Sequence, residues 1–383
     1  MSSKERILRT VEHKEVDKVP VSPRIWAWFL ECYKECNWET YLKAKKEFDF
    51  DPVIGISTGL PDYIHASIIK DNELQIENVS LEQKIVDKGD FWIVNKKFHT
   101  PGGILTDEKI VPKPKKEYGI SPDPKINEPL IKSKEDLEKI KFLLLDIEKT
   151  DYKFIKEISE KVGKEGVIAV RPTIGSDAFV VDSMGLENAM MASRMDKEFL
   201  KEVFKLFHSY NLNVAKKCLE NGAEVIFDSG FNMSLSAGWS LNDWKEFFKP
   251  LVKEMCDLTH SYNAYYFYYD DGKMMKILPE LVDIGVDIVE TCTPPPIGDF
   301  DLKEAKEKFG NKICFKGYVD VVYVIKMGTP EKIREVVKET IEIGAKGGGF
   351  ILGTTDSIRD GTPLENVRAY FQAGREFGSL MAK

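Results

Sequence analysis

Eight short apolar runs punctuate the chain: Val19–Ser22, Pro52–Ile56, Val167–Val170, Val225–Phe227, Tyr265–Tyr269, Val286–Val289, Ile313–Phe315 and Gly349–Leu352. Each is rich in β-branched or aromatic residues and bounded by turn formers, which predicts buried strands. Between most of them, apolar positions recur at helical spacing. Asp196–Asn221 carries Phe199, Leu200, Val203, Phe207, Leu212 and Val214 on such a repeat. Leu241–Thr259, Met274–Ile284, Leu302–Phe309, Pro330–Gly344 and Pro363–Phe377 read the same way. Ser240 with Asp243, and Thr329 ahead of Glu331 and Lys332, are helix starts; Gly285, Gly310 and Gly344 are stops. Eight strands alternating with helices predict an α/β fold, a TIM-like (β/α)8 barrel forming a single domain over residues 1–383.

One stretch breaks this rhythm. From Leu74 to Val111 the pattern turns to short alternating runs such as F-W-I-V-N and K-K-F-H-T, with Pro101-Gly102-Gly103 as a turn between two of them. This predicts a small antiparallel β-meander inserted after the second barrel strand. Pro112–Pro129 follows, with five prolines and many charges, and reads as an extended surface connection. The insertion is expected over about residues 74–129.

In a parallel barrel the site lies at the carboxyl ends of the strands. Those ends hold Arg24, Ile56 to Thr58, Arg171, Asp228, Tyr269 to Asp271, Glu290, Lys316, and Gly353 with Thr354. Carboxylates at the ends of buried strands, as in A-Y-Y-F-Y-Y-D-D-G from Ala264 to Gly272, are costly in a core and useful in a site. Glu290, Asp271, Tyr269 and Asp228 are therefore candidate catalytic residues. Arg24 and Arg171 have the geometry to hold a ligand carboxylate or phosphate, or else to pair with Asp228 or Glu290. Asp270 and Trp26 join them as candidate substrate-binding residues. Adjacent residues on a strand face opposite sides, so one of Asp270 and Asp271 points into the mouth and the other serves a turn or cap. The prolines Pro294-Pro295-Pro296 stiffen the loop that leaves Glu290. Cys292 has no neighbouring histidine to activate it as a nucleophile.

Composition narrows the classes. Apolar residues make 43% and charged residues 31%, as in globular proteins. The net charge of −8 and the lack of a basic stripe with interleaved aromatics argue against nucleic acid. No apolar run approaches the roughly 20 residues that span a membrane. The N-terminus opens a charged amphipathic helix, and the six cysteines read as free thiols, so the cytoplasm is expected. His13, His65, His99, His208 and His260 stand alone, without a second ligand at metal spacing. Cys32 and Cys36 give only a weak metal signal. Gly347-Gly348-Gly349 offers backbone amides to an anion or simply a tight entry to a strand.

Several ordered segments resemble the uroporphyrinogen decarboxylase superfamily. They are K-E-R-I-L-R-T-V-E-H-K-E-V-D-K-V-P-V at Lys4–Val21, Phe227-Asp228-Ser229 before Ser240-Leu241-x-x-Trp244-x-x-Phe247-x-x-Pro250, and Tyr269-Asp270-Asp271-Gly272. L-P-E-L-V-D-I-G-V-D-I-V-E at Leu278–Glu290, G-G-G-F-I-L at Gly347–Leu352 and Thr362-Pro363-Leu364-Glu365-Asn366-Val367 continue the series. The resemblance implies a TIM-like barrel with a large cleft, and two chemistries. One is metal-independent decarboxylation of porphyrinogen acetates. The other is methyl transfer to or from a corrinoid on a partner protein, often with zinc. Decarboxylases of the superfamily carry an arginine-rich motif after the first strand, where this chain has Arg24 alone in P-R-I-W-A-W-F. The zinc enzymes carry His-x-Cys at the fifth strand end and Cys after the eighth, where this chain has Tyr269, Asp271 and Thr354. The His/Cys/Cys zinc site is thus absent, and any other metal is left open. The E-T-C-T-P-P-P-I-G-D loop from Glu290 to Asp299 resembles members of corrinoid-dependent demethylation systems. The expected function is a methyltransferase that moves a methyl group between a methoxylated or methylated small molecule and a corrinoid protein. An acid, Glu290, Asp271 or Tyr269, would protonate the leaving oxygen. The alternatives are a decarboxylase of a carboxylated ring compound and a barrel that only binds a ligand.

Overall fold

The computed structural model describes residues 1–114 and 122–380, leaving the side chains of residues 26, 27 and 231 outside the description. The chain divides into two compact units. One comprises Met1–Ser57, Tyr152–Pro172 and Ala215–Lys383; the other comprises Thr58–Asp151 and Thr173–Val214. The strands, in chain order, are β1 (Val53–Ser57), β2 (Ser80–Asp87), β3 (Phe91–Thr100), β4 (Gly103–Pro112), β5 (Lys125–Glu128), β6 (Val167–Arg171), β7 (Val225–Ser229), β8 (Tyr265–Tyr269), β9 (Ile288–Thr291), β10 (Cys314–Val319) and β11 (Phe350–Thr354).

The first unit holds a seven-stranded parallel sheet in the order β1-β6-β7-β8-β9-β10-β11. Its strands are the apolar runs read from the sequence; β6 to β11 are largely buried, as expected of a parallel sheet flanked by helices, while β1 exposes Gly55 and Ser57. Val19–Ser22, expected as a strand, forms only isolated bridges, Val21 to Leu352 and Arg24 to Ser357. Pro20 and Pro23 lack the N–H groups that a continuous ladder needs. The segment is still held on both sides. Ser22 N donates to Leu352 O at 2.8 Å, and Asp51 N donates to Val21 O at 2.8 Å.

Alternate residues of the sheet fill one face. Val167, Ala169, Val225, Phe267, Ile288, Cys314 and Ile351 form a buried cluster with Ile7 and Val11. The last two come from the helix Ser3–Val11, which closes the amino-terminal side of this core. That helix is fixed by Arg6, whose Nε donates to Asp17 at 2.6 Å and whose Nη1 donates to buried Asp51. With one end sealed by aliphatic side chains, polar residues of the same face collect at the carboxyl ends.

The flanking helices follow the sequence pattern closely. Leu302–Phe309 and Pro330–Gly344 have the expected bounds. Ser240 and Asp243 form a capping box, Thr329 caps through Lys332 N, and Gly285 ends its helix in the left-handed region at φ 93°. The helix expected at Met274 starts later, at Leu278. Asp299 holds Met274 N and Met275 N at 2.7 and 3.1 Å, which fixes the segment before it.

The second unit holds a four-stranded antiparallel sheet in the order β2-β3-β4-β5. Thr100 pairs with Gly103 across the Pro101–Gly102 turn, and Gly103 has φ 123°, which favours glycine. Within Pro112–Pro129, read from the sequence as a connection, Lys125–Glu128 is a strand paired with β4; residues 115–121 lie outside the described residues. The helices Glu135–Ile140, Ser176–Met184 and Leu186–Met195 belong to the same unit. Among the described residues no helix is long and apolar enough to cross a membrane.

Candidate active site

Strand alternation decides which strand-end residues meet. On β7 and β8, Phe227 and Phe267 line a cavity of about 330 Å³ in the first unit. Residues two positions on, Ser229 and Tyr269, therefore share that face, and Asp228 and Asp270 face the other. The same alternation puts Glu290 on the cavity face of β9 and Lys316 on that of β10, directly opposite each other in register. Arg171 ends β6 on the same wall, and Arg24 and Tyr41 complete the polar and aromatic lining.

Glu290 is the centre of this arrangement. It is only 2% exposed, as is Lys316. The Lys316 ammonium donates to Glu290 Oε1, and Arg24 Nη1 donates to Oε2 at 3.1 Å. A buried carboxylate is tolerable only with such partners. Arg24 in turn lies over the Tyr269 ring, 4.3 Å from its centroid, and 5.5 Å from that of Phe227. Its backbone is pinned as well: Arg24 N donates to Thr354 Oγ1 at 3.1 Å, and Ile358 N donates to Arg24 O at 2.7 Å. Burial lowers the Lys316 pKa, the neighbouring Arg24 charge lowers it further, and Glu290 only partly offsets them. Arg171 Nη2 donates to Ser229 Oγ at 3.2 Å.

A second polar group lies beyond Arg24. The Tyr269 hydroxyl donates to Asp271 Oδ2 at 3.3 Å and sits 3.5 Å from Asp356 Oδ1. Arg359 Nη2 and Ser357 N each hold Asp356 at 2.6 Å. Burial, then the Asp356 charge, pushes the Asp271 carboxyl up. Burial also raises the Tyr269 phenol well above its usual range, so it is a neutral donor.

The structure separates the residues grouped from the sequence. Arg24, Arg171 and Glu290 line one cavity, with Tyr269 against Arg24 and Asp271 bonded to Tyr269. Asp228, a candidate catalytic residue, accepts instead from Tyr266 at 3.1 Å on the opposite face. Asp270, a candidate for substrate binding, is fully buried and accepts from Gly272 N at 2.8 Å, a turn role. The Trp26 side chain is outside the described residues. Cys292 is fully buried, with burial holding its thiol protonated. Sequence reasoning missed Tyr41, Asp356 and Arg359, read Cys36 only as a weak metal signal, and noted Lys316 without a role. Cys36 lines the cavity, its thiol pushed up to about 11 by burial. Lys316 was legible: it stands at a strand end beside Glu290 by simple register.

The uroporphyrinogen decarboxylase family profile matches residues 116–377. The chain belongs to this family. Relatives in the uroporphyrinogen decarboxylase family include the uroporphyrinogen decarboxylase of Prochlorococcus marinus, 27% identical over 60% of this chain and 64% of its own. A second decarboxylase, from Trichodesmium erythraeum, is 30% identical over 48% of this chain and 47% of its own. The chain thus spans less than two thirds of the length of either. The methylated-thiol–coenzyme M methyltransferase of Methanosarcina mazei is 25% identical over 55% of this chain and 54% of its own. Among solved structures, a methyltransferase from Methanosarcina mazei shares the fold, with a TM-score of 0.64 at 19% identity over 98% of this chain and 99% of its own.

The zinc site of the family's thiol methyltransferases does not fit these residues. At the corresponding positions, Tyr269 is bonded to Asp271, and the Thr354 hydroxyl donates to Asp356 O at 2.6 Å while accepting from Arg24 N. None of the three is a sulfur or imidazole donor.

Proposed function

We propose that this protein is a methyltransferase of a corrinoid-dependent system, taking a methyl group from a small anionic methoxylated or methylated compound. The observation that carries this is the cavity. At about 330 Å³ it is near the lower end of small-molecule sites, about 300–1,000 Å³. That volume suits a one-ring compound and is too small for a tetrapyrrole with its carboxylated arms. Its charged lining is Arg24, Arg171, Lys316 and Glu290, a net positive set that favours an anion. The name of the Methanosarcina relative adds support for methyl transfer.

In this reading Arg171 takes the substrate carboxylate, and the ring lies among Tyr41, Phe227 and Phe267. A partner's corrinoid, when docked at the mouth, supplies the nucleophile for the methyl group. Glu290, with both oxygens accepting from cations, orients Arg24 and Lys316 rather than giving up a proton. The fold that goes with this is a closed (β/α)8 barrel in which Val19–Arg24 is the remaining stave between β11 and β1, with the four-stranded sheet as an insertion after the second stave. The hydrogen bonds of Ser22, Leu352 and Asp51 support the stave.

A second reading, decarboxylation of a carboxylated ring, draws on the names of the decarboxylase relatives. One experiment separates the two. Purified protein is mixed with chemically reduced cobalamin and a panel of methoxybenzoates and N-methylated acids. Methyl transfer gives the absorption spectrum of methylcobalamin with at least one. No spectral change across the panel, together with release of carbon dioxide from a ring carboxylate, reverses the order.

A further inference from the structure

Breaking a methyl–oxygen bond leaves an alkoxide or phenolate, a poor leaving group unless protonated. Among the cavity groups, few have a proton to give. Both oxygens of Glu290 already accept from cations. Arg24 and Arg171 keep their charge at any ordinary pH, and burial raises the Tyr41 phenol and the Cys36 thiol, so both hold their protons more tightly. Asp271 and Tyr269 are not in the cavity lining. Lys316 is, and its surroundings are built for it. The stem passes Gly353, where an added Cβ would come within 3.2 Å of Lys316 Cγ. The ammonium lies 6.0 Å from the Phe267 ring centroid and donates a hydrogen bond from one of its three N–H groups to Glu290.

We propose that Lys316 is a catalytic acid of this site, donating a proton from its ammonium to the oxygen that loses the methyl group. The inference rests on the methyl-transfer reading. The acceptor's electron pair forms the new bond to the methyl carbon, and the pair of the broken C–O bond stays on oxygen. That oxygen takes a proton from Lys316, whose nitrogen keeps the N–H pair and becomes a neutral amine. Solvent restores the proton as product leaves. Arg24 explains why Glu290 has two cationic partners. One is permanent and still neutralises Glu290 when the other has given up its proton. The charged and titratable groups facing Lys316 are Glu290, Arg24, Cys292 and Cys314. Burial and Arg24 bring the ammonium closer to neutral pH, where a donor is most effective.

Two variants and two ethers test this. Lys316→Arg keeps a cation on Glu290 and cannot donate; Lys316→Met removes both functions, with Arg24 still pairing Glu290. With a methoxybenzoate whose phenol is weakly acidic, both variants lose about 10²- to 10⁴-fold in methyl transfer to reduced cobalamin. With a methoxynitrobenzoate, whose phenolate leaves unaided, the loss shrinks to about tenfold or less. Equal losses on both ethers, or full activity in Lys316→Arg, overturn the proposal. A second arm does not depend on methyl transfer. Competitive acetylation with acetic anhydride across a pH series, read on the Lys316 peptide by mass spectrometry, follows the neutral amine. A midpoint below that of surface lysines is expected. A midpoint in the ordinary lysine range overturns the proposal even if transfer is seen. If no ether reacts but the midpoint is low, the methyl-transfer reading fails and this role of Lys316 falls with it, leaving only a lysine whose titration is shifted.

Discussion

Single residues in this site divide by the side of the strand they occupy. Glu290 and Asp228 both end buried strands, yet Glu290 meets two cations in the cavity while Asp228 accepts from Tyr266 on the other face. Glu290→Gln removes the counter-ion of buried Lys316 and half-buried Arg24, and we expect a loss of about 10²-fold or more in turnover. The melting temperature should fall as well, since Lys316 stays buried without its carboxylate. Asp228→Asn should leave turnover within about twofold and cost about 1 kcal/mol through the Tyr266 bond. Paired kinetics and thermal melts check both; an inactive but stable Asp228→Asn would bring Asp228 back into the chemistry. The inward and outward sides were legible once a single inward residue was known, because the period of a strand is two. What the sequence could not carry was that residue. A fully apolar strand such as Tyr265–Tyr269 has no polar face to mark its orientation. Asp356 and Arg359 were missed for another reason. They sit in a loop after β11, and loop residues follow no period.

Elements were far more legible than side-chain roles. Seven of the eight apolar runs became strands of one parallel sheet, and helices with clear caps kept their bounds. Val19–Ser22 departs because its prolines cannot donate, and Lys125–Glu128 departs because prolines at its flanks look like linker. The antiparallel sheet carries a buried pair that its charged composition hid. Lys96 and Asp107, 3.3 Å apart, are both nearly fully buried. Burial lowers Lys96 to about 8 and raises Asp107, so desolvation outweighs the attraction between them. Lys96 also donates to Ala66 O at 2.6 Å, and Lys109 to Ile64 O at 3.0 Å. Lys96→Met alone leaves Asp107 between the Lys109 cation and the like charge of Glu128 and should cost about 3 kcal/mol. Lys96→Met with Asp107→Leu should recover most of that loss. Urea denaturation of the three proteins decides it: a double variant as unstable as the single one would mean that the pair itself stabilises the sheet.

For the molecule as a whole, His208 and Asp17 are two of the groups through which stability responds to acid, in separate windows. Buried His208 faces the Ser176 hydroxyl at 3.2 Å, and desolvation lowers its pKa from 6.5 to about 4. Its imidazole stays neutral in the fold while the unfolded chain takes a proton near 6.5. The unfolded state therefore binds more protons between those values, and stability falls as pH drops from 6.5 towards 4. The full swing is on the order of 3 kcal/mol. Asp17 acts lower. The Arg6 hydrogen bond is the main cause that brings it from 3.8 to about 2, with the N-terminal ammonium helping. Its contribution is present above 3.8 and is lost as pH falls through about 2. Asp17 is 41% exposed, so solvent screening makes this second limb the smaller one. Denaturant midpoints measured by circular dichroism at a series of pH values should show both limbs. His208→Gln should flatten the slope between pH 6.5 and 4 and leave the lower limb. Asp17→Asn should lower stability at neutral pH and flatten the limb below 3.8. If His208→Gln keeps the wild-type slope above pH 4, the protons taken up there belong to other groups, His13 among them, and the buried imidazole of His208 is already charged in the native protein.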